Sequence, residues 1–446
     1  MNMNHTRLLI IGSGPAGLSA AYYLRQQGYP VTVFEKESRP GGMLMSGIPS
    51  FRLEKEIIEK EISIIEKMGV TFKYNTEVGK DVTIEELRKE GYKAFFIAIG
   101  MQGGRKAGVP GEDAKGVQTG VDFLRKINLD HDANRLSGDT VVVGGGNVAI
   151  DVARSARRVG NEKVSMFCLE TRDIMPASPE EIEIVEAEGV ELNCGWGPKE
   201  VLIDEAGAVR GIVLKKCTRV KDETGRFSPQ YDENDTITVE CKHVIFSVGQ
   251  RSVYGDLFKE SKVVIDRGPK ADALTYQTDE PDIFVGGDMY TGPKFAIDAI
   301  AAGREGAISI HRFVQPHSSI TIGRNRRDFI ELDKENLSVG DYDHSPRQIP
   351  GVSKTTADGE LTFRDKTIEL TEEQIKVETA RCLKCGASVV DENKCIGCGV
   401  CTTKCEFDAI KLYREHPECS KMTPSEDKLK YVLPNGLKQR IKDRKS

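Results

Sequence analysis

The chain lacks any long hydrophobic run: no apolar stretch approaches the roughly 20 residues needed to cross a bilayer, so the sequence predicts no membrane span. It also lacks the charged, apolar and small-residue regions of a signal peptide, passing from polar-leaning residues straight into a strand. An excess of positive charge is missing too. Lys and Arg number 63 against 69 Asp and Glu, a net charge of −6, which argues against nucleic acid as the main partner. Cys168, Cys194, Cys217 and Cys241 stand apart, with no Cys-x2-Cys among them, which argues against chemistry run through a motif dithiol. The other seven of the 11 cysteines crowd between Cys382 and Cys419. That split favours a metallocentre in a reducing compartment over a disulfide scaffold, and the expectation is a cytoplasmic protein.

At 446 residues the chain is long enough for about three domains. Its start alternates strand and helix: a buried strand over Arg7 to Ile11, a helix from Ala16 to Gln27 closed by Gly28, and a strand from Val31 to Glu35. Glu54 to Met68 carries a helical apolar stripe of Ile57, Ile58, Ile62, Ile65 and Met68. Lys93 to Gly100 reads as a strand entering a glycine turn, and Gln102 to Gly116 as a crossing between domains. The pattern then repeats, with a strand over Thr140 to Val143, a helix over Val148 to Val159 and a strand over Val164 to Cys168. His243 to Gly249 echoes Lys93 to Gly100, so each unit ends alike at Gly100 and Gly249. Asp282 to Asp288 and a helix from Phe295 to Phe313 follow.

Two glycine fingerprints give the repeat its chemistry. In the first, Gly12 makes the tight turn, Gly14 lets backbone N–H groups approach a pyrophosphate, and Gly17 lets the helix pack on the sheet. Pro15 and Ala16 open that helix, whose N-terminus favours phosphate. Glu35, with Lys36 beside it, stands at the next strand's end, where an acid holds ribose hydroxyls. The second fingerprint, Gly144-Gly145-Gly146-Asn147-Val148-Ala149, is the G-x-G-x-x-A variant, with Asp151 further along its helix.

The residues after the first fingerprint identify a resemblance. Glu35 to Leu44 (E-K-E-S-R-P-G-G-M-L), Gly47 to Leu53 (G-I-P-S-F-R-L), Gly108 to Asp113, Gly144 to Arg154 and Gly286-Gly287-Asp288 resemble the small subunit of NADPH-dependent glutamate synthase and related two-nucleotide flavoproteins. The resemblance covers roughly Arg7 to Phe313. It implies FAD in the first site, with Gly42, Met43 and Leu44 lining the flavin and Arg52 near it. It implies Gly287 and Asp288 at the ribityl-phosphate region, and Phe295 and Ala296 opening a helix that faces the flavin. It also implies an α/β fold with two Rossmann-like dinucleotide-binding domains, the FAD domain discontinuous and the nicotinamide domain inserted into it, plus a small C-terminal iron–sulfur domain. The expected boundaries are 1–103 and 280–315 for FAD, 104–279 for NAD(P), 316–371 for a connector, 372–420 for the iron–sulfur domain and 421–446 for a basic tail. The glutamate synthase subunit places an iron–sulfur domain ahead of its FAD site, whereas this cysteine cluster lies behind, so the chain resembles a relative serving another partner.

With FAD in the first site, the second is expected to hold the nicotinamide coenzyme. Glutamate synthase relatives carry two adjacent arginines at the second strand tip; this chain has Glu170, Thr171 and Arg172. Glu170 accepts from two ribose hydroxyls and repels a 2′-phosphate, which favours NADH over NADPH. Arg172, Arg157 and Arg158 remain as candidate phosphate partners.

Cys395-x2-Cys398-x2-Cys401-x3-Cys405 has the spacing that wraps a [4Fe–4S] cluster, and Cys382-x2-Cys385 and Cys419 add three thiolates. Seven ligands leave one cluster or two open, with His416, a partner or water as an eighth ligand. Zinc, the rival, leaves Cys401 and Cys405 unused. The expected function is an NAD(P)H-dependent FAD oxidoreductase passing electrons singly through the cluster to other redox subunits or a ferredoxin-like acceptor, as a hetero-oligomer. Flavin subunits of electron-bifurcating transhydrogenases share the resemblance. A glutamate synthase-type electron donor to another enzyme and a non-catalytic electron-conducting scaffold are the alternatives. No acid–base side chain is required, so no catalytic residue is assigned.

Overall fold

A computed structural model describes residues 5–160, 163–324, 343–352, 361–365, 367–382 and 397–404, with isolated positions at 410, 412, 427, 429–430 and 432–434. The chain divides into two compact units, Met1–Leu337 with Gln348–Glu373, and Ser338–Arg347 with Gln374–Ser446.

The first unit opens with β1 (Arg7–Ile11), α1 (Pro15–Gln26), β2 (Val31–Phe34), α2 (Met43–Ser46), α3 (Lys55–Lys67), β3 (Thr71–Lys73), α4 (Ile84–Lys89) and β4 (Tyr92–Ile97). A short β5 (Gly103–Gly104) leads to β6 (Val117–Thr119), α5 (Gly120–Leu129), β7 (Thr140–Val143), α6 (Asn147–Val159), β8 (Val164–Cys168), α7 (Pro179–Ala187) and β9 (Glu191–Cys194). Three long strands follow, β10 (Trp196–Ile203), β11 (Val209–Lys221) and β12 (Phe227–Glu240), then β13 (His243–Phe246), β14 (Gln250–Arg251), β15 (Ile283–Val285), α8 (Asp288–Thr291) and α9 (Ala296–Val314).

Two parallel five-stranded sheets carry the unit, ordered β15-β4-β1-β2-β3 and β6-β13-β7-β8-β9. The orders correspond strand for strand, with β1 matched by β7 and β4 by β13. β15 returns to the first sheet only after the whole second module has been built, so the first module is discontinuous. Where the chain crosses between modules, β5 pairs antiparallel with β14. Strands buried on both faces explain the near-continuous apolar runs of Leu8–Ile11 and Val141–Val143.

Several local expectations need correction. Ile57 is exposed, and α3 buries only Ile58, Ile62 and Ile65 of its apolar stripe. Residues 196–240 form an antiparallel sheet, β10-β11-β12, that was not anticipated; it stacks Val201, Ile212 and Leu214 against β7 and β13. α9 crosses α1 so closely that a Cβ at Gly303 would lie 2.1 Å from the Ala16 carbonyl oxygen, and Ser19 Oγ donates to the Ile300 carbonyl at 2.7 Å. This close packing fixes where the start of α9 points. Further along the chain lie α10 (Glu372–Ala380), which starts at the end of the first unit's segment, and, in the second unit, α11 (Val400–Lys404).

Candidate functional site

The first fingerprint is a turn that only glycine can make. Gly12 has φ +95°, and an added Cβ would lie 2.5 Å from the Ala98 carbonyl oxygen; one at Gly17 would lie 1.9 Å from the Gly12 oxygen. Gly14, the N-cap of α1, faces open space. Gly42 has φ +54°, and its Cβ would lie 2.8 Å from Gly14 Cα, so the second loop crosses directly over the first. Ser13, which the sequence reading passed over, ties these parts together. Its N–H and Oγ donate to Glu35 Oε2 at 2.9 and 2.6 Å, and its carbonyl accepts from Gly41 N–H at 3.0 Å. Glu35 is buried and also accepts from Glu37 N–H at 2.9 Å.

These parts wall one cleft. It is lined by Gly12, Gly14, Pro15, Ala16, Glu35, Lys36, Gly42, Met43, Leu44, Gly100, Gly287, Asp288, Phe295 and Ala296, all expected at the FAD site. Gly287 has φ +68° and caps α8. Burial pushes the Asp288 carboxyl up, opposed by a hydrogen bond from the Lys294 backbone. The second module closes the cleft with Leu124, Val148, Asp151, Gln250 and Val253. The Gly14 opening, the Gly42 crossing and the start of α1 form a cradle that fits a dinucleotide pyrophosphate.

The second fingerprint repeats the first. A Cβ at Gly144 would lie 2.4 Å from the Ser247 carbonyl oxygen, as one at Gly12 meets Ala98, and Gly146 faces open space as Gly14 does. Asn147 Oδ1 accepts from Ser178 N–H at 3.0 Å, and the Gly145 carbonyl accepts from Ala177 N–H at 3.2 Å. The Glu170 carboxylate packs against this loop, 2.7 Å from where a Gly145 Cβ would stand. Thr171 Oγ1 donates to Asp173, while Arg172 pairs with Glu186 at 2.8 Å. Arg158 pairs with Glu188 at 2.6 Å with its side chain 4% exposed, and Arg157 donates to the Glu188 carbonyl. Gly249 turns at φ +111° and accepts from Arg105 N–H at 3.0 Å. Of this second set only Val148 and Asp151 reach the cleft walled by the first.

Arg52 is not among the residues lining the cleft. Its guanidinium bonds the Asp151 carboxylate and makes a fork with Glu181, at 2.5 Å to each oxygen. Beside it, Phe51 lies against the guanidiniums of Arg154 and Arg158, at 4.4 and 4.1 Å from its ring centroid. A polar seam thus joins the modules; no motif flagged Glu181, and Phe51 stood only as one letter of the Gly47 to Leu53 stretch, with no role given to it. Lys55 Nζ donates to the Leu44 carbonyl at 2.9 Å and to that of Ile48; burial lowers its pKa to about 8, opposed by Asp151. Asp151 itself is raised to about 6 by burial, against the pull of Arg52.

Of the cluster cysteines, Cys382, Cys398 and Cys401 are exposed, and Cys385, Cys395, Cys405 and Cys419 lie outside the described residues. Upstream, Cys168 and Cys194 share no motif spacing, yet the fold brings their Sγ atoms to 3.7 Å. Among the described residues, no helix is long and apolar enough to cross a membrane.

Comparison with known proteins agrees with this geometry. Residues 6–303 match the family model described as pyridine nucleotide-disulphide oxidoreductase, and residues 388–411 match the 4Fe-4S binding domain. The NADP(+)-dependent formate dehydrogenase subunit beta of Moorella thermoacetica is 38% identical over 85% of this chain and 54% of its own length. The NAD-dependent dihydropyrimidine dehydrogenase subunit PreT of Escherichia coli K12 is 34% identical over 69% of this chain and 68% of its own. The NADPH-Fe(3+) oxidoreductase subunit beta of Geobacter sulfurreducens is 34% identical over 69% of this chain and 50% of its own. The chain therefore spans about half the length of two of these relatives. Among solved structures, FprA from Mycobacterium tuberculosis shares the fold at TM-score 0.59 and 21% identity, over 69% of this chain and 84% of that one. The chain belongs to the pyridine nucleotide-disulphide oxidoreductase family and carries a match to the 4Fe-4S binding domain behind it.

Proposed function

We propose that the chain is the flavin and iron–sulfur subunit of a larger redox complex, taking electrons from NADH and delivering them singly to a partner redox subunit or a ferredoxin-like acceptor. The observation that carries this reading is the single cleft in which Val148 and Asp151, from the helix of the second fingerprint, stand with Gly14, Gly42, Leu44 and Asp288. On this reading residues 1–103 and 280–315 hold FAD, and 104–279 hold the coenzyme. When bound, FAD exchanges a hydride with the nicotinamide and gives up electrons one at a time, as a [4Fe–4S] cluster requires.

The chain's own residues bind and orient. The starts of α1 and α6 offer N–H groups and positive dipole ends to the two pyrophosphates. Glu35 and Glu170 accept from ribose hydroxyls. The start of α9, held by Gly303 against α1, presents Phe295 and Ala296 to the cleft. NADH is preferred because the cations that would hold a 2′-phosphate are committed elsewhere, Arg172 to Glu186 and Arg158 to Glu188. Cys395, Cys398 and Cys401 supply three thiolates of a cluster, and Cys405, Cys382, Cys385 and Cys419 are further ligands, Cys405 to a second cluster where there are two.

Anaerobic purification tests the reading. The protein should carry about one FAD and roughly four to eight irons per chain, and NADH should bleach the flavin. Zinc in place of iron, or a flavin that neither coenzyme reduces, would sink it.

A further inference from the structure

One pair of nucleophilic side chains has no part in the function above. Cys168 ends β8 and Cys194 ends β9, and the parallel ladder sets them opposite each other as its last matched pair. Their Sγ atoms are 3.7 Å apart. Neighbouring strands lie about 4.8 Å apart, inside the roughly 4.4–6.8 Å between Cα atoms that a disulfide spans. Neither strand has to unpair for the sulfurs to join. Cys168 is buried and Cys194 half-buried, so a small molecule meets Cys194 first.

The pair sits directly under the coenzyme loop. Cys168 Cβ lies 3.1 Å from where a Cβ on Gly145 would stand, and the Glu170 carboxylate lies 2.7 Å from the same point. The Gly195 N–H, next to Cys194, donates to the Glu170 carbonyl at 3.0 Å. Cys168 Sγ in turn lies 3.5 Å from that carbonyl. The backbone that carries Glu170 is therefore held from both cysteine positions.

We propose that Cys168 and Cys194 form a dithiol that closes to a disulfide by exchange with a small-molecule disulfide, and that closure weakens coenzyme binding at the second fingerprint. Cys194, as its thiolate, attacks one sulfur of the small disulfide and releases one thiol. Cys168 then loses its proton, attacks Cys194 Sγ and expels the second thiol. Two protein thiols are oxidised, and one small disulfide is reduced to two thiols. Shortening the sulfur separation from 3.7 Å to a bond of about 2 Å turns Cys168 Sγ away from the Glu170 carbonyl that it now contacts, and so displaces Glu170 from Gly145. Burial holds both thiols protonated, so the exchange is slow and requires the disulfide in excess. The effect on coenzyme rests on the reading of Glu170 as the ribose acceptor.

The test uses the full-length holoprotein, incubated without oxygen in excess oxidised glutathione. Peptide mapping without reductant scores the bond, and calorimetric titration with NADH scores affinity. Wild type should yield a linked Cys168–Cys194 peptide and a several-fold higher NADH dissociation constant, restored by dithiothreitol. Cluster cysteines also meet the oxidant, so Cys194→Ser is the control; its NADH affinity should not respond. In Cys168→Ala the exchange should halt as a mixed disulfide on Cys194. No linked peptide after exhaustive exchange, or a linked peptide with unchanged NADH affinity, overturns the proposal. Reduced wild type that binds neither NADH nor NADPH overturns the coenzyme reading instead, and does so before any oxidant is added.

Discussion

The guanidinium of Arg52 bonds the carboxylate of Asp151, and through that bond a loop of the first nucleotide module grips α6, the helix of the second fingerprint. Glu181 takes the other face of the guanidinium. The seam sets which part of α6 the cleft meets, because Asp151 is both an Arg52 partner and a cleft-lining residue. Arg52→Ala should leave FAD bound but slow flavin reduction by NADH, since the second module loses its fixed approach. Stability should fall by about 1–3 kcal/mol, between the values for an exposed pair and for a fully buried one, because Arg52 is 24% exposed. Stopped-flow reduction beside the flavin content of the same preparation separates the two effects. Unchanged reduction kinetics would remove Arg52 from any positioning role.

The same pair predicts a pH dependence. Burial lifts the Asp151 carboxyl to about 6, so the native state binds more protons than the unfolded chain between roughly pH 4 and 6. Its stabilising contribution is present below that window and is lost as pH rises through it. Arg52 favours the ionised carboxylate, so removing Arg52 carries the loss to still higher pH. The gap in Tm between wild type and Arg52→Ala should therefore be wider near pH 8 than near about pH 5. A gap independent of pH would show that Asp151 is not the group left uncompensated.

Gly12 and Gly14 should fail in different ways. A Cβ at Gly12 drives into the Ala98 carbonyl at φ +95°, whereas one at Gly14 meets no protein atom within 4 Å. Gly12→Ala should lose both FAD and Tm. Gly14→Ala should lose flavin affinity while the apoprotein melts where wild-type apoprotein does. Equal loss of apoprotein Tm in the two variants would show that Gly14 is needed for the turn and not for a bound phosphate.

Much of this was legible because glycine fingerprints are backbone requirements written in a local stretch of sequence. The strand, turn and helix around Gly12 and around Gly144 follow from residues within one short window. Even the echo between Lys93–Gly100 and His243–Gly249 has a physical cause, since Ala98 and Ser247 each supply the carbonyl against which the first glycine packs. The seam was not legible. Arg52, Asp151 and Glu181 meet only when two modules dock, and Arg52 → Glu181 spans 129 positions that no periodicity connects. The Cys168–Cys194 pair was missed for the same reason, because a parallel register is set by the sheet and not by spacing along the chain. The β10-β11-β12 sheet escaped because its strands carry many exposed polar residues, leaving little apolar alternation to read.

Glu170 should decide coenzyme choice. Its carboxylate borders the Gly145 loop, and Arg172 and Arg158 are held by acids. Wild type should therefore be reduced by NADH at much lower concentration than by NADPH. Glu170→Arg should shift the ratio of the two coenzymes by at least tenfold, about 1.4 kcal/mol, by removing repulsion and supplying a phosphate partner. Wild type that strongly prefers NADPH would reverse this reading of the strand tip.

The cluster should be the exit for electrons and not a structural ornament. Residues 388–411 match the 4Fe-4S binding domain, and Cys398 is the second thiolate of that motif. Cys398→Ser removes one ligand and should lower bound iron by about four per chain, the content of one cluster. It leaves Gly12 to Gly17 and Gly144 to Ala149 untouched, so FAD should stay bound and NADH should still bleach it. Delivery to a protein acceptor such as a ferredoxin should fail, because that acceptor takes one electron at a time. Small artificial acceptors that reach the flavin directly should remain active. Flavin reduction and acceptor turnover measured in one preparation give the answer. If turnover with the protein acceptor survives while the iron is gone, electrons leave by another route and these cysteines hold a fold or a partner instead.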